Sequence, residues 1–156
     1  MNSLQRYIKI LKFTASQSKC KRRKIGALAI LNKGYIYKYN SIQKGDYGIC
    51  DECPRIGQEH GNWSGNQECP AIHAEEAVIL NAARGGYSLE GETLLVTDKP
   101  CNRCSRLIVG AGFKKVIYLS DIGSNNGIDY LRKCGVEVEQ YQDAVIIENP
   151  DEGVLE

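Results

Sequence analysis

Residues 73–104, HAEEAVILNAARGGYSLEGETLLVTDKPCNRC, contain the pattern that decides the fold. From His73 to Arg84 the chain is rich in Ala, Glu, Ile and Leu, which favour helix, and Gly85-Gly86 stops it. Thr93 to Thr97 is a short β-branched run and reads as a strand. Asn102 to Ala111 reads as a second helix, closed by Gly110 and Gly112. The stretch is thus helix, strand, helix. It carries two short polar motifs, His73-Ala74-Glu75 and Pro100-Cys101-Asn102-Arg103-Cys104, each at the point where a helix begins.

The flanks extend the pattern. Toward the N-terminus, Leu4, Tyr7, Ile8, Leu11 and Ala15 recur at helical spacing over residues 3–16, with Lys9 and Lys12 on the other face. Ile25 to Leu31, Asn32-Lys33-Gly34 and Tyr35 to Tyr39 predict a hairpin around an Asn/Gly turn. Toward the C-terminus, Lys115 to Leu119 predicts a strand and Gly127 to Lys133 a helix, and Val136 to Val138 begins a last strand. The order predicts an α/β fold, a five-stranded mixed sheet with helices on both faces. Strands separated by single helices should run parallel and the opening hairpin antiparallel. At 156 residues the chain fits one domain, with residues 142–156 expected to be a loose acidic tail.

Composition narrows the function classes. The net charge of +1 gives no global electrostatic case for a nucleic-acid or membrane partner. The longest apolar runs are too short to span a bilayer. The basic N-terminal residues Arg6, Lys9 and Lys12 interrupt any secretory pattern, so a cytoplasmic protein is expected. Seven cysteines, an odd number, fit metal ligation better than a disulfide framework.

The two polar motifs supply the chemistry. Taken alone, His73 would be an ordinary satisfied histidine, and Cys101 and Cys104 half a zinc ribbon or a redox pair. Together, in this order, they form the H-x-E and P-C-x-x-C signature of zinc base deaminases. One imidazole and two thiolates leave the fourth tetrahedral position of zinc open, so that bound water reaches hydroxide near neutral pH. Glu75 stands two residues from the histidine, placed to carry the water proton to the ring nitrogen and on to the leaving amine. The backbone N–H of Ala74, at a helix start, is a donor for a substrate carbonyl.

The residues around these motifs resemble the deoxycytidylate (dCMP) deaminases. The likeness lies in Ile72-His73-Ala74-Glu75 through Ala82-Ala83-Arg84, Leu89-Glu90-Gly91, the Pro-Cys-x-x-Cys motif, and Ser18-Lys19-Cys20 followed by Ile25-Gly26-Ala27. It continues in Lys115-Val116-Ile117-Tyr118 and in Cys134 to Val138. The resemblance implies a cytidine-deaminase-like α/β/α sandwich that hydrolyses dCMP to dUMP and ammonia. It also implies zinc at His73, Cys101 and Cys104 with Glu75 as proton shuttle, and homo-oligomers, often hexamers. Asn40 occupies the place of a sugar-contacting Asn and is otherwise a turn residue. The family's Gly-Tyr-Asn-Gly is here Lys38-Tyr39-Asn40-Ser41, which leaves regulation by dCTP and dTTP open.

Residues 41–72 show no period and recurrent glycine, and a structureless stretch of this length needs a reason. Cys50-Asp51-Glu52-Cys53 has zinc spacing, and some dCMP deaminases hold a structural zinc in the matching segment. A second zinc on Cys20, Cys50, Cys53 and Cys69 would staple this insertion, with His60 able to replace one cysteine; free buried cysteines are the alternative. For a nucleotide phosphate the candidates are Arg23, Lys24 and Lys44, although the basic run 19–24 also reads as a solvated turn. Tyr118 either packs on the base or fills the core. A nucleic-acid base deaminase and a non-catalytic zinc module remain as alternatives, the first disfavoured by near-zero charge and the second by Glu75.

Overall fold

The computed structural model describes residues 2–44, 53, 55–57 and 69–142. Its elements follow the order α1 (Ser3–Ser16), β1 (Gly26–Leu31), β2 (Gly34–Tyr39), α2 (Ala74–Gly85), β3 (Thr93–Asp98), α3 (Asn102–Gly110), β4 (Lys115–Ser120), α4 (Asn126–Lys133) and β5 (Glu137–Gln140). The five strands form one sheet in the order β2-β1-β3-β4-β5. β1 pairs antiparallel with β2 and with β3, while β3–β4 and β4–β5 are parallel. The two antiparallel pairings cancel, so β2 and β3, separated by α2, point the same way without being neighbours. This is the expected mixed sheet with helices on both faces.

Side-chain alternation along the strands divides the core in two. Ala27, Ala29, Leu94, Val96, Val116 and Tyr118 pack with Val78 and Ala82 of α2, Ile108 of α3, and Ile128 and Leu131 of α4. Leu28, Leu95 and Ile117 point the other way, onto Ile8 and Leu11 of α1. Leu11, Leu28, Leu94, Leu95 and Leu131 are fully buried. Truncating any of them to Ala removes about 2–5 kcal/mol.

Helix boundaries have local causes. Asn2 and Gln5 close α1 with a reciprocal capping box at 2.8 and 2.9 Å. Glu75 and Glu76 lie in the first turn of α2 and Arg84 in its last, matching the helix dipole. Gly86 ends α2 in the left-handed conformation at φ 71°, where a side chain would be strained. The connection from β3 to α3 and the start of α2 meet on one side of the sheet, and the candidate site lies between them.

Candidate active site

His73 is the N-cap residue of α2 and Cys101 the N-cap residue of α3. Capping therefore places the two halves of the motif on facing helix starts. The Cys101 sulfur accepts the Cys104 N–H at 3.4 Å, the interaction of an N-cap side chain, and the positive end of α3 favours a thiolate there. His73 Nδ1 lies 3.7 Å from Cys101 Sγ and 3.4 Å from Cys104 Sγ. Zinc bonds of about 2.3 Å to sulfur and about 2.0 Å to nitrogen, meeting at a tetrahedral angle, place S and N about 3.5 Å apart. The donor set fits zinc. Among the described residues it is the only group of three or more possible metal ligands converged in this way.

The electrostatics suit metal capture. Hydrogen bonding to Cys104 and His73 lowers the Cys101 thiol to about 4 against the cost of burial. The Cys101 contact and burial push the Cys104 thiol up. His73 is raised, first by its hydrogen bond to Cys101. Ligation needs both sulfurs as thiolates and the imidazole neutral, so metal uptake releases whatever protons these groups hold without it. Glu75 is buried, and desolvation raises its carboxyl from 4.5 to about 7, a value suited to taking and giving a proton near neutral pH.

A cavity of about 900 Å³ opens on His73, Glu75 and Cys101. Asn40 lines it, buried, with its side chain committed to the loop before β1. Its Oδ1 accepts the Ile25 N–H and its Nδ2 donates to the Arg23 carbonyl, both at 2.9 Å. Arg23 also lines the cavity, and its guanidinium pairs with Asp98 at 2.5 Å. Lys24 and Lys44 are not among the lining residues, and Lys24 Nζ donates to the Ser16 carbonyl at 3.3 Å. Ala74 is fully buried behind the cavity wall. Tyr118 is buried in the core on the α2 side of the sheet and is not among the residues lining the cavity.

Cys20, Cys53 and Cys69 all line the same cavity without converging as a ligand group. Cys50 and His60 lie outside the described residues, as do most of the 41–72 insertion and the tail from residue 143.

Two features of the site escape the sequence motifs. Lys99 Nζ, beside the Pro-Cys motif, reaches Asp121 at 2.7 Å and Asn125 Oδ1 at 2.8 Å. It thereby fixes the β4–α4 connection, whose Ile122, Gly123 and Ser124 wall the cavity. No spacing rule links Lys99 to residues more than twenty positions away. Glu76 accepts the His73 N–H at 3.0 Å, and the N-cap-to-N3 spacing of a capping box was a usable signal for it.

Comparison with known proteins agrees with this geometry. The family model for the cytidine and deoxycytidylate deaminase zinc-binding region matches residues 1–120. The deoxycytidylate deaminase of Enterobacteria phage T4 is 31% identical over 168 residues, spanning 84% of this chain and 86% of that protein. That of Mycobacterium phage D29 is 34% identical over 118 residues, spanning 72% and 90%. Among solved structures, the dCMP deaminase of cyanophage S-TIM5 in complex with dCMP and dUMP superposes with a TM-score of 0.77 at 30% identity, covering 90% of this chain and 99% of that one. With a zinc-fitting His/Cys/Cys set, a buried glutamate beside it and these relatives, the chain belongs to the zinc-dependent cytidine and deoxycytidylate deaminase family.

Proposed function

We propose that the protein hydrolyses dCMP to dUMP and ammonia. The observation that carries this reading is Glu75, buried beside a converged His73–Cys101–Cys104 set, with Glu75, His73 and Cys101 lining a cavity of about 900 Å³. The kinship with phage dCMP deaminases, one of them solved with dCMP and dUMP, supports the choice of substrate. His73, Cys101 and Cys104 would hold zinc, which would supply the Lewis acidity that makes water a nucleophile near neutral pH. Glu75 takes one proton of the water and delivers it to the ring nitrogen as the C–O bond forms. It then takes the second from the new hydroxyl and passes it to the amine, so that ammonia leaves with the broken C–N bond and the new C–O bond becomes the carbonyl. Asn40 holds the Arg23–Ile25 backbone against the cavity and fixes where the sugar end sits. Arg23, held by Asp98 and lining the cavity along with Lys19, Lys21 and Arg22, is the candidate to meet the phosphate.

A second, structural zinc on Cys20, Cys50, Cys53 and Cys69 belongs to the same reading, supported by three of these cysteines opening on one cavity. His60 is the substitute ligand. The protein acts as a homo-oligomer in the cytoplasm, in keeping with the expectation from sequence, and no described helix is long and apolar enough to cross a membrane.

The substrate is tested by incubating the protein with dCMP, deoxycytidine, dCTP, CMP and short DNA or RNA and measuring ammonia and uracil product. Preferred turnover of dCMP supports the proposal. Turnover of oligonucleotides alone would assign the chain to nucleic-acid editing, and no turnover of any base would leave a zinc module.

A further inference from the structure

We propose that Glu76 and Arg103 form a clamp that holds the two halves of the metal centre in register and sets how tightly the ion is bound. The inference rests on the reading of His73, Cys101 and Cys104 as the ligands. Those ligands come from two separate helix starts, so the spacing of nitrogen and sulfur depends on how α2 and α3 meet. One carboxylate spans the junction. Glu76 Oε2 accepts the backbone N–H of His73 at 3.0 Å, and Glu76 Oε1 pairs with Arg103 Nη2 at 2.7 Å. Arg103 sits between the two cysteine ligands in the chain. The histidine backbone and the Cys-x-x-Cys turn are thereby tied through a single side chain.

The burial is lopsided. The Glu76 side chain is 8% exposed and that of Arg103 is 65% exposed. A carboxylate withdrawn from water is costly unless its oxygens are satisfied, and here each oxygen has one partner, on opposite halves of the centre. An α2 start that needed only a cap would be served by a neutral glutamine at this position. Glu76 carries a charge whose partner lies on the other helix. Neither residue lines the cavity or belongs to the ligand set, so both are positioning residues. Groups that orient metal ligands from outside typically change metal affinity about 10–100-fold when removed.

The test uses the full chain with Arg103→Met, which keeps the apolar stem, and Glu76→Gln, which keeps an acceptor for the His73 N–H. Zinc affinity is measured by competition with a chromophoric chelator. Cobalt(II) substitution, whose thiolate absorption scales with the number of sulfur ligands, identifies the two-thiolate centre. Each single variant should weaken metal binding there by about tenfold or more. The double variant should be no weaker than the worse single one, because both act through one contact. Arg103→Met strands a buried carboxylate and should lower the metal-free unfolding midpoint. Glu76→Gln leaves only the exposed Arg103 unpaired, so its metal-free midpoint should change little while its zinc affinity falls, which a merely structural ion pair would not predict. Affinities within about twofold of the parent, or losses that add in the double variant, would overturn the clamp. Cys104→Ser separates the two layers: if it keeps the parent cobalt spectrum, the ligand reading itself fails, whatever Arg103→Met does.

Discussion

Glu75 shows how a single residue trades stability for chemistry. Its carboxyl is raised from 4.5 to about 7, chiefly by burial. A group whose folded pKa lies above its unfolded one contributes stability that is complete below the unfolded value and is lost as pH rises through the folded value. In metal-free protein the loss therefore runs from about pH 4.5 to just above 7. At 1.36 kcal/mol per pH unit it amounts to about 3 kcal/mol. Glu75→Gln removes this dependence. Denaturant unfolding of the metal-free proteins should find the variant more stable than the parent by about that amount near pH 8, and the gap should close near pH 4. Equal stabilities at both pH values would show that the carboxylate is not desolvated as described. The place of this residue beside the metal set was legible in the sequence because His-x-Glu and Pro-Cys-x-x-Cys form a recognisable spacing. Arg23, Lys24 and Lys44 were not separable that way. A basic run does not say which cation turns inward, and only the Asp98 partner on β3 singles out Arg23.

At the scale of elements, apolar spacing, composition and glycines located the described helices and strands, and the structure moves boundaries by a residue or so, as at β3, which extends to Asp98. Helix ends followed from glycine and capping chemistry, both local. Long-range packing was not legible, and Gly127 is the clearest case. Beyond opening a helix, nothing in the sequence marks it, yet in the fold the first turn of α4 lies directly on the metal motif. A Cβ at Gly127 would overlap the Pro100 carbonyl oxygen and crowd Ser105 Oγ and the Cys101 backbone. Backbone at Pro100 and Cys101 cannot swing aside as a flexible side chain would. Gly127→Ala should therefore push α4 away from α3, costing about 1–3 kcal/mol of stability and loosening zinc. Thermal unfolding with and without chelator checks this: the variant should lose more of its midpoint in the zinc-loaded state than in the metal-free one. Gly110→Ala, where a Cβ meets nothing, is the control and should behave as the parent.

For the whole molecule, the sheet order places a closed wall of α2, α3 and α4 on one face and α1 on the other, and the site opens where the antiparallel half of the sheet gives way to the parallel half. The mixed sheet, its hairpin and its parallel half followed from element order, whereas the place of β1 between β2 and β3 is a long-range pairing that element order does not encode. The insertion at 41–72 did not follow, since residues without period carry no instruction about where they lie. If a second zinc orders it, metal analysis of purified protein should find two zinc ions per chain, falling to one when Cys50 and Cys53 are both changed to Ser. One ion per chain in the parent would remove that part of the account. Under the proposed function, the zinc-fitting His/Cys/Cys set and the buried Glu75 act together in deaminating a cytosine nucleotide. The most direct measurement is uracil-nucleotide formation from dCMP by the parent and by Glu75→Gln, with bound zinc quantified in both. The account predicts turnover by the parent, a fall of about a hundredfold or more in the variant, and equal zinc in the two. Undiminished turnover by a zinc-loaded Glu75→Gln protein would contradict it.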